Sequence, residues 1–475
     1  MKLTPIALNT SIFREYDIRG IAGRDLSAEF ARRLGFAYGI FVARQLKKPL
    51  AGMRISVGRD CRLSSDEYAA AMIESLRSCG VQVLDLGTCP TPLTYFSVFH
   101  LGLDGGIMIT GSHNPGDYNG FKICVGKETL HGHDIQVLRQ LIESLERPAE
   151  AQGSVEKFEV IPAYQDHLVT HARKVRPLKV VLDSGNGTAS TVAPRLFERL
   201  GATVIPLFCE LDGRFPNHHP DPTVPANLKD LVAAVKSNQA DFGVAFDGDS
   251  DRIGLVDETG RIIYGDELMV LLSREVLREH PGATIISEVK SSHRLYSDIA
   301  SHGGKPLMWK TGHSLIKSKM KETGAALAGE MSGHIFFADR YFGYDDAIYA
   351  ALRVYEIAGN HKGRLSELLS DLPPSVSTPE IRVDCIEEKK FALVDAAKKL
   401  LSPGRKVTDI DGVRIDFGDG WGLIRASNTQ PVLVLRFEAP SQSRLDEIRG
   451  LFLEQLQNAA SAVGHPRIDL TSSAH

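Results

Sequence analysis

One theme recurs three times along this chain of 475 residues: an apolar run of strand length, a turn rich in glycine or serine, an amphipathic stretch, and a second apolar run. The first pass goes from RISVG (Arg54–Gly58) through a helical stretch near Ser64 to Cys79 into VQVLDLG. The second begins at LKVVLDSGNGT (Leu178–Thr188), passes through a helix near Ala189 to Leu200 and continues into ATVIPLF. The third opens with TIISEVKSS (Thr284–Ser292) and, after its helix, reaches KPLMWKTGHS and AALAGEMSGH. Strands that alternate with helices in this way predict parallel or mixed sheets covered by helices.

After PPSVSTP (Pro373–Pro379) the texture changes to strands without intervening long helices, EIRVDC, GVRIDF, GLIRAS and PVLVLRFEA, closed by the helix SRLDEIRGLFLEQLQNAA. The expected fold is α/β: three similar mixed α/β domains, residues 1–158, 159–261 and 262–375, followed by a smaller α+β domain, residues 376–475. Length alone argues for several domains rather than one core, and the meeting point of four domains is the natural place for a central cleft.

Composition bounds the partners. A net charge of −4 gives no electrostatic case for nucleic acid or an anionic membrane. No apolar run approaches the ~20 residues of a membrane span, and the first twenty residues lack the apolar core of a signal peptide, so a cytoplasmic protein is expected. The six cysteines show no Cys-x-x-Cys pairing and are expected to be free and mostly buried. Nothing suggests a large self-complementary interface, and a monomer is expected.

Two stretches carry chemistry. In GGIMITGSHNPGDYNGFK (Gly105–Lys122), Ile107, Met108 and Ile109 have the pattern of a strand buried on both faces in a parallel sheet, and the C-terminal end of such a strand is where these sheets place reactive groups. Gly111 permits a sharp turn and Pro115 pushes Asn114 into an extended conformation, so Ser112 and His113 project on a rigid loop. A hydroxyl beside an imidazole serves as a nucleophile or a phosphoryl carrier, though a bare Ser-His pair is more often an ordinary polar loop. In GVAFDGDSDRIGLV (Gly243–Val256), Asp247, Asp249 and Asp251 occupy alternate positions. Such a set converges on one hard cation, and all-oxygen donors favour Mg²⁺, Mn²⁺ or Ca²⁺ over zinc. Glu258 stands twelfth from Asp247, as in an EF-hand, but Arg252 fills the place that needs glycine and both flanks read as strands. The bland alternative is a solvated turn; against it, three like charges so close repel unless a cation or guanidinium answers them.

Two further loops offer recognition groups. In GEMSGH (Gly329–His334), Glu330 can accept from vicinal sugar hydroxyls and Ser332 can donate or accept. In RASNTQP (Arg425–Pro431), the donor fork of Arg425 with Ser427, Asn428 and Thr429 suits a phosphate, although the same residues also make a hairpin turn.

TGSHNP followed by GFK resembles the phosphoserine loop of the α-D-phosphohexomutases. The resemblance extends over nearly the full chain, with motifs in order in all four expected domains. It implies that Ser112 carries the transferable phosphate and that Asp247, Asp249 and Asp251, with a phosphoryl oxygen on Ser112, hold Mg²⁺. EYDIRG (Glu15–Gly20) matches the N-terminal signature and places Tyr16 and Arg19 near the phosphoserine. TGHS places His313 near the sugar, with Lys290, Glu330, Ser332 and His334 as substrate contacts, and RASNTQP matches the distal phosphate-binding loop. Within GEMSGH, Met331 resembles the phosphomannomutase/phosphoglucomutase group. Arg252, Arg19 and Lys122 are expected to hold phosphoryl oxygens, and Lys122, His113 or Arg19 to help move the proton.

The implied reaction moves phosphate reversibly between C1 and C6 of mannose and glucose phosphates through a hexose 1,6-bisphosphate, which also serves as activator. The alternatives are a phosphoglucosamine mutase, a sugar-phosphate phosphatase using Asp247 in the manner of haloacid dehalogenase-type enzymes, and a silent homologue.

Overall fold

The computed structural model describes residues 8–145, 151–428 and 430–469. By contact the chain forms two compact units, Met1–Ile285 with Gly312–Ser370, and Ile286–Thr311 with Asp371–His475.

The first unit begins with a seven-stranded sheet. Its strand Gly105–Ile109 is buried at all five positions and lies between a parallel neighbour, Arg54–Arg59, and an antiparallel one, Tyr118–Val125. The expectation of a strand buried on both faces holds, but its sheet is mixed. The reason is local: after the Ser112 loop the chain turns straight back as the next strand, which only an antiparallel pairing allows. Val57, Ile107, Ile109 and Phe121 pack with Phe30, Leu34, Tyr38 and Met72 from flanking helices, each fully buried side chain contributing about 1.5–3 kcal/mol. One of these helices, Ala28–Leu46, starts where Ser27 Oγ accepts from the Phe30 amide at 3.1 Å. It stops at Lys47, which takes a left-handed conformation.

A five-stranded sheet follows, in which Phe242–Phe246 runs parallel to Lys179–Asp183 and antiparallel to Ile253–Asp257. Leu231 and Val235 of helix Lys229–Asn238 cover it through Val181, Ala245 and Val256. The helix expected from Ala189 to Leu200 starts as a 3₁₀ turn, Thr188–Thr191, and becomes α-helical over Ala193–Arg199. Pro194 sits in its first turn, where a missing amide costs nothing. The rest of this unit includes helices Gly265–Glu279, His313–Thr323 and Ala347–Asn360 and the antiparallel pair Leu327–Gly329 and Ile335–Phe337.

The second unit holds helix His293–Ser301, strand Lys305–Trp309 and a six-stranded antiparallel sheet. In that sheet Val432–Ala439 pairs with Trp421–Ala426 and Ile381–Asp384. One expectation is corrected here. A twelve-residue helix, Lys390–Leu401, separates the strands of EIRVDC and GVRIDF. Leu393, Ala397 and Leu401 recur every four residues and, with Val394, pack on Val413, Ile424 and Leu435, a helical period hidden among lysines. The terminal helix, Gln442–Ala462, seals the same core with Leu445, Ile448 and Phe452.

All six cysteines are free. Among the described residues no helix is long and apolar enough to cross a membrane.

Candidate active site

Sheet register gathers the first groups. Lys122 lies opposite Met108 on the strand that leads to Ser112, and Arg19, on strand Ile18–Ile21, lies opposite Gly120. Ser112 itself has φ +50°, a conformation uncommon for a residue with a Cβ. Its amide donates to Thr110 Oγ1 at 2.8 Å. Its Oγ is 3.1 Å from His113 Nδ1 and donates to Asp247 Oδ2 at 3.0 Å. Arg19 donates through Nη1 to Asn114 Oδ1 at 2.6 Å and pairs with Asp17 at 2.5 Å.

The carboxylate trio forms the turn between the antiparallel strands Phe242–Phe246 and Ile253–Asp257, with Ser250 at φ +66° making the tight return possible. Asp247, Asp249 and Asp251 are each 0% exposed, which rules out a solvated surface turn. Asp247 Oδ1 accepts from the amides of Asp251 and Arg252, both at 3.1 Å. Asp249 Oδ2 accepts from Thr91 Oγ1 at 2.5 Å and from Lys122 Nζ at 2.6 Å. Asp251 also pairs with Lys122.

Burial and the two neighbouring aspartates push the Asp247 carboxyl well above its usual range. Burial also raises Asp249 and Asp251, but Lys122, together with Thr91 at Asp249 and with His334 and Arg252 at Asp251, outweighs it and leaves both below the usual range. The ligand atoms of the trio lie within 4.8 Å of one another, and Asp249 Oδ1 is buried without a hydrogen-bond partner among the described residues. An orphaned carboxylate oxygen in an all-oxygen set fits a hard divalent cation.

The GEMSGH loop is tied to this turn. Ile253 N donates to Gly333 O at 3.1 Å, and Arg252 and His334 form a β-bridge. Glu330 spans two elements, accepting from Gly312 N at 2.6 Å and lying 2.8 Å from His334 Nδ1. Ser332 Oγ is 3.1 Å from the same ring nitrogen, and His334 Nε2 is 3.3 Å from Asp251 Oδ1. Burial and then Arg252 lower the His334 pKa; Asp251 and Glu330 overcome them and bring the ring up to about 9. His113 and His313 go the other way, pushed well below the ordinary value by burial and then by Arg252 and Lys317 respectively. Tyr16 packs edge-on against His313, ring centres 5.8 Å apart, which sets it beside the TGHS loop, whereas Arg19 of the same motif reaches the serine loop.

The second unit carries the other predicted contacts. Arg425 Nε is held by Asp411 Oδ2 at 3.1 Å, and the same oxygen accepts from Thr311 N at 3.0 Å. Ser427 Oγ accepts from Gln430 N at 3.2 Å, and Asn428 follows it in the turn. Thr429 lies outside the described residues. Lys290 Nζ stands 2.8 Å from Glu380 and 3.5 Å from Glu288.

Four residues at the site carry no sequence signal: Thr91, which holds Asp249; Asp60 and Arg62, inside the serine loop; and Lys317, paired with Asp345 at 2.8 Å one turn after His313. Each is linked to its partner through space, and none belongs to a motif.

Family models described as phosphoglucomutase/phosphomannomutase α/β/α domains I, II and III and C-terminal domain match residues 10–148, 162–260, 264–376 and 380–455. A phosphomannomutase/phosphoglucomutase of Pseudomonas aeruginosa is 50% identical over 462 residues, 97% of this chain and 98% of the relative. A phosphoglucomutase of Neisseria gonorrhoeae is 46% identical over 450 residues, covering 94% and 96%. The crystal structure of a phosphoglucomutase/phosphomannomutase family protein from Burkholderia thailandensis superposes with a TM-score of 0.89 at 44% identity, covering 95% of this chain and 98% of that one.

Proposed function

The chain belongs to the phosphoglucomutase/phosphomannomutase family, and from that premise we propose that it interconverts hexose 1-phosphates and hexose 6-phosphates, of mannose and of glucose, with Ser112 as the phosphoryl carrier. The observation that carries the reading is the contact of Ser112 Oγ with Asp247, 3.0 Å, at the edge of three buried carboxylates.

In the forward step the phosphorus–oxygen bond to Ser112 breaks as the bond to a sugar oxygen forms. The proton released by the sugar hydroxyl ends on Ser112 Oγ, which donates to Asp247. The product is a hexose 1,6-bisphosphate; it turns end for end and returns its other phosphate to Ser112, so phosphate moves between C1 and C6. Asp247, Asp249 and Asp251 would hold Mg²⁺ beside the phosphorylated Ser112, where the cation would supply neutralisation of charge on the group in transfer. Lys122 and Arg19 hold phosphoryl oxygens, and His113, 3.1 Å from Ser112 Oγ, orients the hydroxyl. Arg252, Tyr16 and His313 line the reacting end. Glu330, Ser332 and His334 read the sugar hydroxyls, a role suited to a carboxylate and a hydroxyl fixed on one short loop. Lys290, Arg425, Ser427, Asn428 and Thr429 bind the phosphate that is not in transfer.

We assign the domains to residues 1–158, 159–261, 262–375 and 376–475, and propose a cytoplasmic monomer; a single species near 52.0 kDa by light scattering is the check on its oligomeric state.

The test of the reaction is turnover of α-mannose, α-glucose and α-glucosamine 1-phosphates followed by phosphorus NMR, with native protein and Ser112→Ala. Comparable rates for mannose and glucose are expected. Loss of about 10⁴-fold or more is expected in the variant, since removing a nucleophile abolishes the covalent route. Free phosphate as the product, or turnover by the alanine variant near the native rate, would overturn the reading.

A further inference from the structure

Arg62 sits in the turn DCRLSS, between strand Arg54–Arg59 and helix Ser65–Arg77. Its side chain is 0% exposed, and its guanidinium lies inside the loop that carries Ser112. Nε donates to Asp60 Oδ2 at 3.1 Å. Nη1 donates to the carbonyls of Pro115 and, at 2.9 Å, Tyr118. Nη2 donates to the carbonyls of Ser112 at 2.8 Å and Asn114 at 2.6 Å. A guanidinium has five N–H donors, and here each has an acceptor, four of them backbone carbonyls between residues 112 and 118.

Asp60 completes the device. Besides Arg62 Nε it accepts from Gly111 N at 3.2 Å, Arg62 N at 3.0 Å and Ser65 Oγ at 2.6 Å, so one carboxylate fixes both the guanidinium and the residue before Ser112. The packing leaves no slack, since a Cβ on Gly111 would stand 2.5 Å from the Arg62 Cζ. The ring of Phe215 covers the guanidinium at 5.1 Å.

We propose that Arg62 is a positioning residue for phosphoryl transfer: its guanidinium is the template on which the serine loop is folded, holding Ser112 in its left-handed conformation with Oγ aimed at Asp247. This rests on the reading of Ser112 as the phosphoryl carrier. Two features separate it from a merely structural ion pair. The acceptor set includes the carbonyl of Ser112 itself, and the Asn114 held by the same fork is the residue that receives Arg19. Lysine cannot substitute, because three donors on one nitrogen cannot reach four carbonyls and a carboxylate spread around a planar fork.

The test compares native protein with Arg62→Lys and Arg62→Ala by circular dichroism, thermal melting and steady-state turnover of glucose 1-phosphate with Mg²⁺ and glucose 1,6-bisphosphate. Both variants are expected to fold, with KM within about threefold of native and kcat reduced about 10²-fold, the scale of a 1 Å misplacement of a reacting group. Millimolar guanidinium chloride is expected to restore Arg62→Ala about tenfold by refilling the template, a gain of about 1.4 kcal/mol, and to leave native enzyme and Arg62→Lys unimproved. A folded variant with kcat within about threefold of native overturns the proposal, as does a rise in KM at unchanged kcat, which would indicate substrate binding. Failure of both variants to fold also overturns it, leaving Arg62 as a residue of the domain's stability. Failure of the functional reading shows separately, in native protein that carries no phosphate on Ser112 by peptide mass spectrometry and does not convert glucose 1-phosphate.

Discussion

Each of the two units brackets a buried lysine with carboxylates, and the two clusters differ in what surrounds them. In the first unit Lys122 lies between Asp249 and Asp251, with Asp247 a third carboxylate beside them, all three wholly buried on one tight turn. In the second, Lys290 lies between Glu288, which is also wholly buried, and Glu380, whose side chain is 28% exposed. A wholly buried carboxylate that loses its partner cannot be rehydrated and costs several kcal/mol, whereas a partly exposed one is released into water at small cost. The first cluster is committed to a fixed geometry with negative charge to spare. The second can release one of its carboxylates, Glu380, into water, which is what the proposed role of Lys290 in holding a phosphate would require. Fixed geometry suits bond making, and exchangeable pairing suits a group that must be picked up and let go.

The largest effect that sharpens this contrast is expected from Asp249→Ala: kcat falling about 10³-fold, the scale of losing a dominant electrostatic stabiliser. Its Mg²⁺ dependence should weaken, read by titrating the metal against turnover. Activity above a tenth of native would mean that the trio is not a committed site.

Next comes Arg425→Ala, where a hydrogen bond to a charged group is lost. KM should rise about 10- to 100-fold, corresponding to about 1.5–3 kcal/mol, with kcat changed far less. A fall in kcat alone would erase the division between chemistry and recognition.

Glu380→Gln is smaller and depends on pH. Burial raises the Glu380 carboxyl, but Lys290 and Arg382 outweigh it and hold it down to about 2. A carboxyl lowered by folding binds fewer protons in the folded state, so its contribution is present above the unfolded value of about 4.3 and is lost as the pH falls from there toward 2. Discounted for its exposure, the contribution is about 1–2 kcal/mol at pH 7. Melting temperatures of variant and native protein should therefore differ at pH 7, differ less at pH 3 and converge only near pH 2; a constant difference would remove the ion pair from the account. The smallest effect is expected from Lys398→Ala. Lys398 and Asp409 are 40% and 55% exposed at 2.5 Å, and urea unfolding should shift by less than about 0.5 kcal/mol.

The groups legible in the sequence were those whose neighbours in space are also neighbours in sequence. Asp247, Asp249 and Asp251 sit on one turn, and Ser112 and His113 are adjacent. Thr91 is 158 residues from the Asp249 it holds, and Arg62 is 50 residues from Ser112, so no local pattern announces either. Tyr16 and Arg19 show the limit of a motif: three residues apart, they serve different loops, because a strand turns alternate side chains to opposite faces and its lead-in is not bound by that register. The strand–helix alternation was readable throughout the three α/β repeats. It does not reach Lys390–Leu401, where apolar positions interleaved with lysines mask an amphipathic period between strands.

On the proposed reading of GEMSGH as the loop that meets the sugar hydroxyls, the tie between Gly333 and Ile253 bears on attempts to change which sugar is accepted. A Cβ at Gly333 would stand 2.4 Å from the Ile253 carbonyl, and Glu330 is already committed to the Gly312 amide and to His334. The hexapeptide can thus be re-lettered at Met331 and Ser332 but not lengthened, shortened or stiffened at Gly333. A loop grafted from a relative of different specificity would have to match it residue for residue in length, or bring its own Gly243–Val256 turn with it.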